Sequence, residues 1–211
     1  RRRKYVCKCN GKVMTCAGPD KLIPGGRYST EFAVHVAERK YLDHMPLARQ
    51  QREMERKGLV VETQTLWDQL DALAKALHPT YIEVGSMVQA QPVRHADETP
   101  WRMLSGGKKR WQVWGLATAD AVWYRIADSR SAKAAAELVG DLGGVLVTDG
   151  YGAYKKLARD GPDVVLAGCW AHARRKYVEV EEQHPKEVEE ILDLIGQLYA
   201  VEREVPTGRI K

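Results

Sequence analysis

The chain has 211 residues, of which 44% are hydrophobic and 29% are charged, the balance of an ordinary globular protein. That length suffices for one domain and a smaller module. No apolar run approaches the roughly 20 residues of a membrane span. The start RRRKYVCKC is not followed by the apolar stretch of a secretory signal. We therefore expect a cytoplasmic protein with no membrane partner.

The net charge of +5 at pH 7 favours an anionic partner such as nucleic acid, without identifying it. For any single basic cluster, an ordinary solvated surface is the alternative. The stretch from Glu179 to Glu204 is instead acidic. The basic residues cluster at four places: Arg1–Lys4, Lys108–Arg110, Lys155–Lys156 and Arg174–Lys176.

Residues 1–26 are rich in Gly, Pro and Cys and show no periodic pattern. Cys7, Cys9 and Cys16 do not resemble the disulfide framework of a secreted protein, and they favour reduced thiols or a metal site. Cys7 and Cys9 are the candidate Zn²⁺ ligands, although their spacing lacks one residue of the usual Cys-x-x-Cys pair.

Residues 27–90 predict helices. Ser29 is a candidate N-cap for the first, and a second is predicted from Leu47 to about Lys57, with Gly58 as its end. The third is predicted to close at Pro79. It carries one apolar stripe: Leu66, Leu70, Leu73 and Leu77.

The Gly-containing turn between the second and third helices resembles a helix-turn-helix, which would place the third helix in a DNA major groove. That helix carries Asp68 and Asp71 but a single Lys, which disfavours contact with phosphate. A helical packing unit is the equal alternative.

From residue 91 the pattern changes to that of an α/β domain. Three successive strands are predicted at VRHADET, RWQVWGLAT and AVWYRIAD. A helix begun by Ser129 or Ser131 follows, then a strand at GGVLVTDG, a helix at YGAYKKLARDG, a strand at DVVLAGCWAH and one long helix. This order predicts a mixed sheet with helices on its faces.

Asp97 and Asp149 stand where predicted strands run into loops, the place where ligands bind in α/β sheets. Two neighbouring carboxylates repel each other unless a cation lies between them, and hard ions such as Mg²⁺ or Mn²⁺ bind through carboxylate oxygens. Such ions activate water or a 3′ hydroxyl for phosphoryl transfer. The alternative for either Asp is a turn or helix cap.

Three further candidates follow the last predicted strand. His172 stands at the head of a helix, and Arg174 and Arg175 come directly after it. Arginine binds phosphate bidentately, so these residues are candidate phosphate contacts or active-site support. A structural hydrogen bond for His172, and an ordinary basic helix face for the arginines, are the alternatives.

The ordered motifs HADETPWRML, VTDGYGAY and CWAHARRKY resemble those of the transposases of the insertion sequence 66 family. LIPGGRYSTEFAVHVAERKYLDHMPLARQ and QTLWDQLDALAKAL resemble the family's helical region, so the resemblance covers essentially the whole chain. It implies a partial zinc-finger-like module over 1–26, a helical region over 27–90 and an RNase H-like catalytic domain over 91–211. The upstream cysteine pair of that module is absent from this sequence.

The resemblance also implies an Asp-Asp-Glu transposase that cleaves and joins DNA at element ends with Mg²⁺ or Mn²⁺. Asp97 matches the first acid and Asp149 the second, and Cys169 to His172 match the Cys-Trp-Ala-His motif. The family's catalytic Glu lies downstream of Lys211, so we expect this chain to be catalytically weak or inactive. Four nearby glutamates could substitute for this catalytic Glu, and the alternative for them is a solvated helix face. They are Glu179, Glu181, Glu182 and Glu187.

Synapsis of two element ends favours a homo-oligomer. Two other functions fit the same residues: a non-enzymatic DNA-binding remnant of a transposase, and an RNase H-like nuclease acting on other nucleic acids.

Overall fold

The structure, a computed structural model, describes residues 3–103, 111–140, 143–161 and 163–204. The chain divides into two compact units, Arg1–Tyr81 and Ile82–Lys211. The predicted basic cluster Lys108–Arg110 and the first two arginines of the N-terminal cluster lie outside the described residues. Within the described residues, no helix combines the length and the apolar character that a membrane crossing requires.

The first unit begins with a hairpin that the sequence did not predict. Strands β1 (Lys4–Val6) and β2 (Val13–Thr15) pair in antiparallel register, with Tyr5 opposite Met14. The sulfurs of Cys7 and Cys9 are joined in a disulfide within the turn that connects the two strands, and Cys16 is an exposed free thiol. Because zinc binds thiolates and not disulfide sulfurs, the predicted Zn²⁺ site gains no support in this structure.

Helices α1 (Thr30–Tyr41) and α2 (Leu47–Arg56) agree with their predictions. Ser29 caps α1, since its hydroxyl accepts a hydrogen bond from the Phe32 amide at 3.4 Å. Together with the start of α3 (Thr63–Gln89), these helices enclose a small core. Its buried members are Val36, Val61, Leu66 and Leu70.

The predicted end of the third helix at Pro79 is wrong, because α3 continues through Pro79 to Gln89. Proline inside a helix costs roughly 3 kcal/mol through one missing hydrogen bond and a steric clash. Packing on both sides of Pro79 offsets that cost. Leu66 and Leu70 are buried in the first unit, and Val88 is fully buried in the second.

The second unit is built on a five-stranded mixed sheet whose order along the sheet is β5-β4-β3-β6-β7. β3 pairs antiparallel with β4 and parallel with β6, and β6 pairs parallel with β7. The predicted α/β class is confirmed, and the architecture is compatible with an RNase H-like fold. The strands are β3 (Val93–Trp101), β4 (Trp111–Ala117), β5 (Val122–Ala127), β6 (Gly144–Thr148) and β7 (Val164–Gly168).

Helices α4 (Ala132–Val139) and α5 (Gly152–Asp160) contribute to the core of this unit. Of the two predicted caps of α4, Ser131 is the one used, with its hydroxyl accepting from the Ala134 amide. The largest fully buried members of this core and its surroundings are Trp114, Arg94, Tyr154, Leu116, Leu138 and Leu146.

The buried Arg94 guanidinium of β3 hydrogen-bonds to three other segments of the chain. It donates hydrogen bonds to the backbone carbonyls of Gln89 at 2.7 Å, Val139 at 3.2 Å and Gly143 at 2.6 Å. The ends of α3 and α4 and the approach to β6 are therefore held to one side chain.

The single long helix predicted after the last strand is instead two helices, α6 (Trp170–Val178) and α7 (Pro185–Glu204). Pro185 lacks the N–H that would continue a helix from the preceding residues, and proline is favoured at the first position of a new helix. The acidic stretch is accordingly interrupted by a turn.

The close approach of α3 to β5 predicts the effect of adding one methyl group. A Cβ at Gly85 would lie 2.6 Å from the Trp123 indole. We expect Gly85→Ala to destabilise the chain by about 1–3 kcal/mol through overpacking. This loss should occur despite the better helix propensity of alanine, and thermal or urea unfolding measures it.

Gly196→Ala is the matched control, because Gly196 lies inside α7 with nothing within 4 Å of the added Cβ. Alanine there should stabilise the chain by about 0.5–1 kcal/mol. Equal effects of the two substitutions would contradict the packing described for Gly85.

Candidate active site

The parallel pairing of β3 with β6 brings the two predicted acids together. In this register His95 lies opposite Val147. The pairing ends there, and Asp97 and Asp149 each stand two residues further along their chains. Since adjacent strands lie roughly 4.8 Å apart, the two aspartates come to line one cleft although they are distant in sequence.

The prediction that Asp97 lies at the end of its strand is wrong, because Asp97 lies in the middle of β3. β3 continues to Trp101 because it pairs with β4 on its other side over that length. Side chains alternate along the strand, so Asp97 is exposed, with 60% of its side chain accessible, while Ala96 and Glu98 are buried on the opposite face. The partner strand β6 is the one that ends here.

Asp149 directly follows β6 and organises the turn into α5. Its Oδ1 accepts a hydrogen bond from the Tyr151 amide at 2.8 Å, and Thr148 Oγ1 accepts one from the Gly150 amide at 3.2 Å. Gly150 has φ of +84°, in the left-handed region. One oxygen of Asp149 therefore caps the turn, which was the alternative prediction for this residue, while its side chain is otherwise exposed.

The end of β7 and the start of α6 add His172 to the two acids. The Cys169 amide donates to the Thr148 carbonyl at 2.9 Å, which holds the beginning of α6 against the end of β6. His172 Nε2 lies 3.8 Å from Asp97 Oδ2. Its Nδ1 is buried and has no hydrogen-bond partner among the described residues.

These residues share a cleft of about 930 Å³. Of the two arginines predicted as phosphate contacts, Arg175 lines the cleft, whereas Arg174 is not among its lining residues. Lys176 also lines the cleft, and its ammonium is paired with Glu179 at 2.7 Å. The charged and polar residues that line the cleft are Asp97, Glu98, Thr99, Thr148, Asp149, His172, Arg175, Lys176 and Glu179.

The donor set of the cleft suits a hard divalent cation. Asp97 and Asp149 present carboxylate oxygens, and Mg²⁺ is commonly bound through one or two carboxylates, with water and substrate phosphate completing its shell. Among the described residues, no three His, Cys, Asp or Glu side chains form a ready-made metal cage. The residues thus fit an ion held by two acids and shared with substrate.

Sequence reasoning missed a buried polar cluster directly behind the acids. The Glu98 side chain is fully buried, and it accepts hydrogen bonds from Arg130 Nε at 2.8 Å and from the Tyr154 hydroxyl at 2.8 Å. Burial is the main cause that raises the pKa of Tyr154, followed by Glu98 and then by the charges of Asp97 and Asp149. Tyr154 therefore stays protonated and donates to Glu98.

One signal could have found Glu98. In a strand where Asp97 faces outward, the next residue faces the core, and a buried carboxylate requires a partner. The partners themselves are not readable from the sequence, because Arg130 and Tyr154 are 32 and 56 residues away.

The model of the IS66 transposase family matches residues 25–209, which is most of the chain. The chain belongs to the IS66 transposase family. The resemblance to the insertion sequence 66 family is thereby confirmed.

Relatives of this IS66 family member occur in Sinorhizobium fredii (strain NBRC 101917 / NGR234). The uncharacterized protein y4jD is 34% identical over 97% of this chain and 44% of its own length. The uncharacterized proteins y4qI and y4hP are 30% and 26% identical, each over 85% of this chain and over 37% and 35% of their own lengths. The chain thus spans less than half the length of these relatives.

The turn after the second acid predicts a difference between two nearby glycines. Gly150→Ala should destabilise the chain by about 1–2 kcal/mol, because alanine is disfavoured at positive φ. An added Cβ meets only Lys155 Cε, at 4.0 Å, so the backbone and not crowding causes the loss. Gly152→Ala, with nothing within 4 Å, is the control and should leave stability unchanged or improved. Urea unfolding of both variants checks this, and an equal loss in each would contradict the conformational argument.

Proposed function

We propose that this chain carries the metal-binding acid pair of a bacterial DNA transposase, in which Asp97 and Asp149 hold Mg²⁺ or Mn²⁺ for cleavage and joining of DNA at the ends of an insertion sequence. The observation that supports this proposal is that two exposed aspartates, which follow the parallel pairing of β3 with β6, line one cleft together with Arg175 and His172. Family membership supports a DNA substrate.

Each residue of the cleft has a role set by its charge and position. When bound, the cation supplies a Lewis acid that stabilises charge on a scissile phosphodiester and favours deprotonation of the attacking water or 3′ hydroxyl. Asp97 and Asp149 hold it, and Arg175 binds a substrate phosphate through its guanidinium. His172, whose Nε2 lies 3.8 Å from Asp97 Oδ2, is placed to donate to a phosphate oxygen or to support Asp97.

The remaining assignments extend to the whole protein. We propose that residues 91–211 belong to the catalytic domain without completing it, that 27–90 contact DNA as a helix-turn-helix-like region, and that 1–26 form part of a zinc-finger-like module. The third acid of the family's triad is not assigned among residues 1–211, and we expect these residues by themselves to cleave DNA weakly or not at all. The protein acts as a homo-oligomer on paired element ends in the cytoplasm.

The acid pair can be tested through metal binding by the chain itself. Asp97→Asn and Asp149→Asn should each weaken Mn²⁺ binding at least tenfold, because each removes one anionic ligand from a site that has two. Titration calorimetry or the electron paramagnetic resonance signal of free Mn²⁺ measures the affinity. Asp193→Asn, on the exposed surface of α7, is the control and should bind Mn²⁺ like the wild type.

If neither acid variant changes Mn²⁺ affinity relative to the control, the metal site is not formed by this pair. If metal binding is lost but the chain shows no preference for transposon-end DNA over RNA–DNA hybrids, an RNase H-like nuclease is favoured. DNA binding without any acid-dependent metal binding would favour a non-enzymatic DNA-binding remnant.

The two neighbouring arginines provide a second test. Arg175 lines the cleft and Arg174 does not, although both are exposed residues of the same helix. We expect Arg175→Ala to weaken binding of short duplex DNA severalfold and to reduce its salt dependence by about one counterion. Arg174→Ala should have a smaller effect. Fluorescence anisotropy across a range of salt concentrations measures both, and identical losses would argue against the cleft as the phosphate site.

A further inference from the structure

We propose that Arg130 is a positioning residue that fixes the two acids relative to each other through Glu98 and Tyr151; this inference rests on the proposed function. Each acid has its Oδ1 held by a backbone amide. Asp97 Oδ1 accepts from the Glu98 amide at 2.9 Å, and Asp149 Oδ1 accepts from the Tyr151 amide at 2.8 Å. The orientation of both carboxylates therefore depends on where Glu98 and Tyr151 are held.

Arg130 contacts both of these residues. Its Nε and a terminal nitrogen donate to Glu98 Oε1 at 2.8 and 2.5 Å. Its guanidinium lies 3.9 Å from the centre of the Tyr151 ring, and the Tyr151 hydroxyl donates to the Arg130 carbonyl at 2.9 Å. One residue thus joins the neighbours of the first acid, on β3, and of the second acid, before α5.

The cluster is completed by Tyr154, which holds the other oxygen of Glu98. Its hydroxyl donates to Glu98 Oε2 at 2.8 Å, and the residue is fully buried. Its ring makes edge-on contacts with Trp114 and Tyr151 at centroid distances of 6.1 and 6.3 Å. Since both Glu98 oxygens are bound, Arg130 acts on a fixed anchor and not on a mobile side chain.

The position of Arg130 separates its role from that of an ordinary surface ion pair. The Glu98 side chain is 0% exposed, whereas that of Arg130 is 47% exposed. Removing the guanidinium leaves a buried carboxylate without its cation, which is unfavourable until the backbone moves to let water in. Any shift of the Glu98 backbone on β3 also shifts Asp97, because Asp97 is the preceding residue and its Oδ1 accepts from the Glu98 amide.

A purely structural role for Arg130 is the alternative, and Arg125 offers a matched control. Arg125 also binds a carboxylate and a carbonyl, those of Glu137, at 3.1 and 2.8 Å. It also lies over an aromatic ring, that of Trp123, at 5.8 Å. Its contacts join β5 to α4 and do not include the residues whose amides bind the acids.

The experiment compares Arg130→Met, Arg130→Lys and Arg125→Met in the 211-residue chain. Amide hydrogen exchange by nuclear magnetic resonance, without metal, reports whether the Glu98 and Tyr151 amides stay bonded to the acids. Mn²⁺ titration reports the consequence for the site. We expect Arg130→Met to speed exchange of both amides at least tenfold relative to Arg125→Met, and to weaken Mn²⁺ binding roughly tenfold to a hundredfold.

Arg130→Lys should give an intermediate loss, because lysine keeps the charge but not the two-nitrogen contact or the ring stacking. If Arg130→Met does not fold, this variant carries the comparison. The inference is overturned if the Arg130 variants change exchange and Mn²⁺ affinity no more than Arg125→Met does. If the amides respond but Mn²⁺ binding proves independent of Asp97, the positioning role stands and the proposed metal site fails.

Discussion

The parallel pairing of β3 with β6 is the contact on which the rest of the site depends. It is a short register, from Val93 opposite Val145 to His95 opposite Val147, yet it decides which side chains meet at the end of β6. If β3 slipped by one residue against β6, Ala96 or Glu98 would take the place of Asp97. Both belong to the opposite face of the strand, because successive residues of a strand face opposite sides. The Arg94 guanidinium, bonded to the carbonyl of Gly143 just before β6, opposes such a slip.

β3 serves two purposes through the alternation of its side chains. Its exposed face presents Asp97 to the cleft, and its buried face carries Ala96 and Glu98 into the core. The geometry of the acid therefore depends directly on the packing of the next residue. A carboxylate inside a core is costly unless it is fully bonded, and Arg130 and Tyr154 satisfy Glu98.

Local patterns predicted the elements well where the signal itself is local. Ser29 and Ser131 cap their helices because a hydroxyl needs only an amide three residues away. The two failures differ in kind, since one local signal was overridden and another was overlooked. Pro79 is a local stop signal, but packing on both sides of it keeps α3 continuous. The last helix was predicted to be unbroken, although Pro185 marked the start of a second one.

In the candidate site, too, some features could be predicted from local motifs and others depend on tertiary packing. Family motifs identified Asp97, Asp149, His172 and the arginines, and the structure separated Arg175, which lines the cleft, from Arg174, which does not. That separation depends on which face of α6 meets the ends of β6 and β7. A run of two arginines does not specify a face unless the neighbouring strands are known.

By itself, the sequence determined the class of the fold and the family of the chain, because these follow from short patterns and characteristic motifs, and the same motifs nominated the two candidate acids. Only the tertiary structure decided that the acids are neighbours and that Asp97 lies within β3. It also revealed that the buried Glu98 and Tyr154 form one hydrogen-bonded cluster with Arg130 behind them. The physical reason is that strand order and register arise from long-range packing, which joins residues that no local pattern relates.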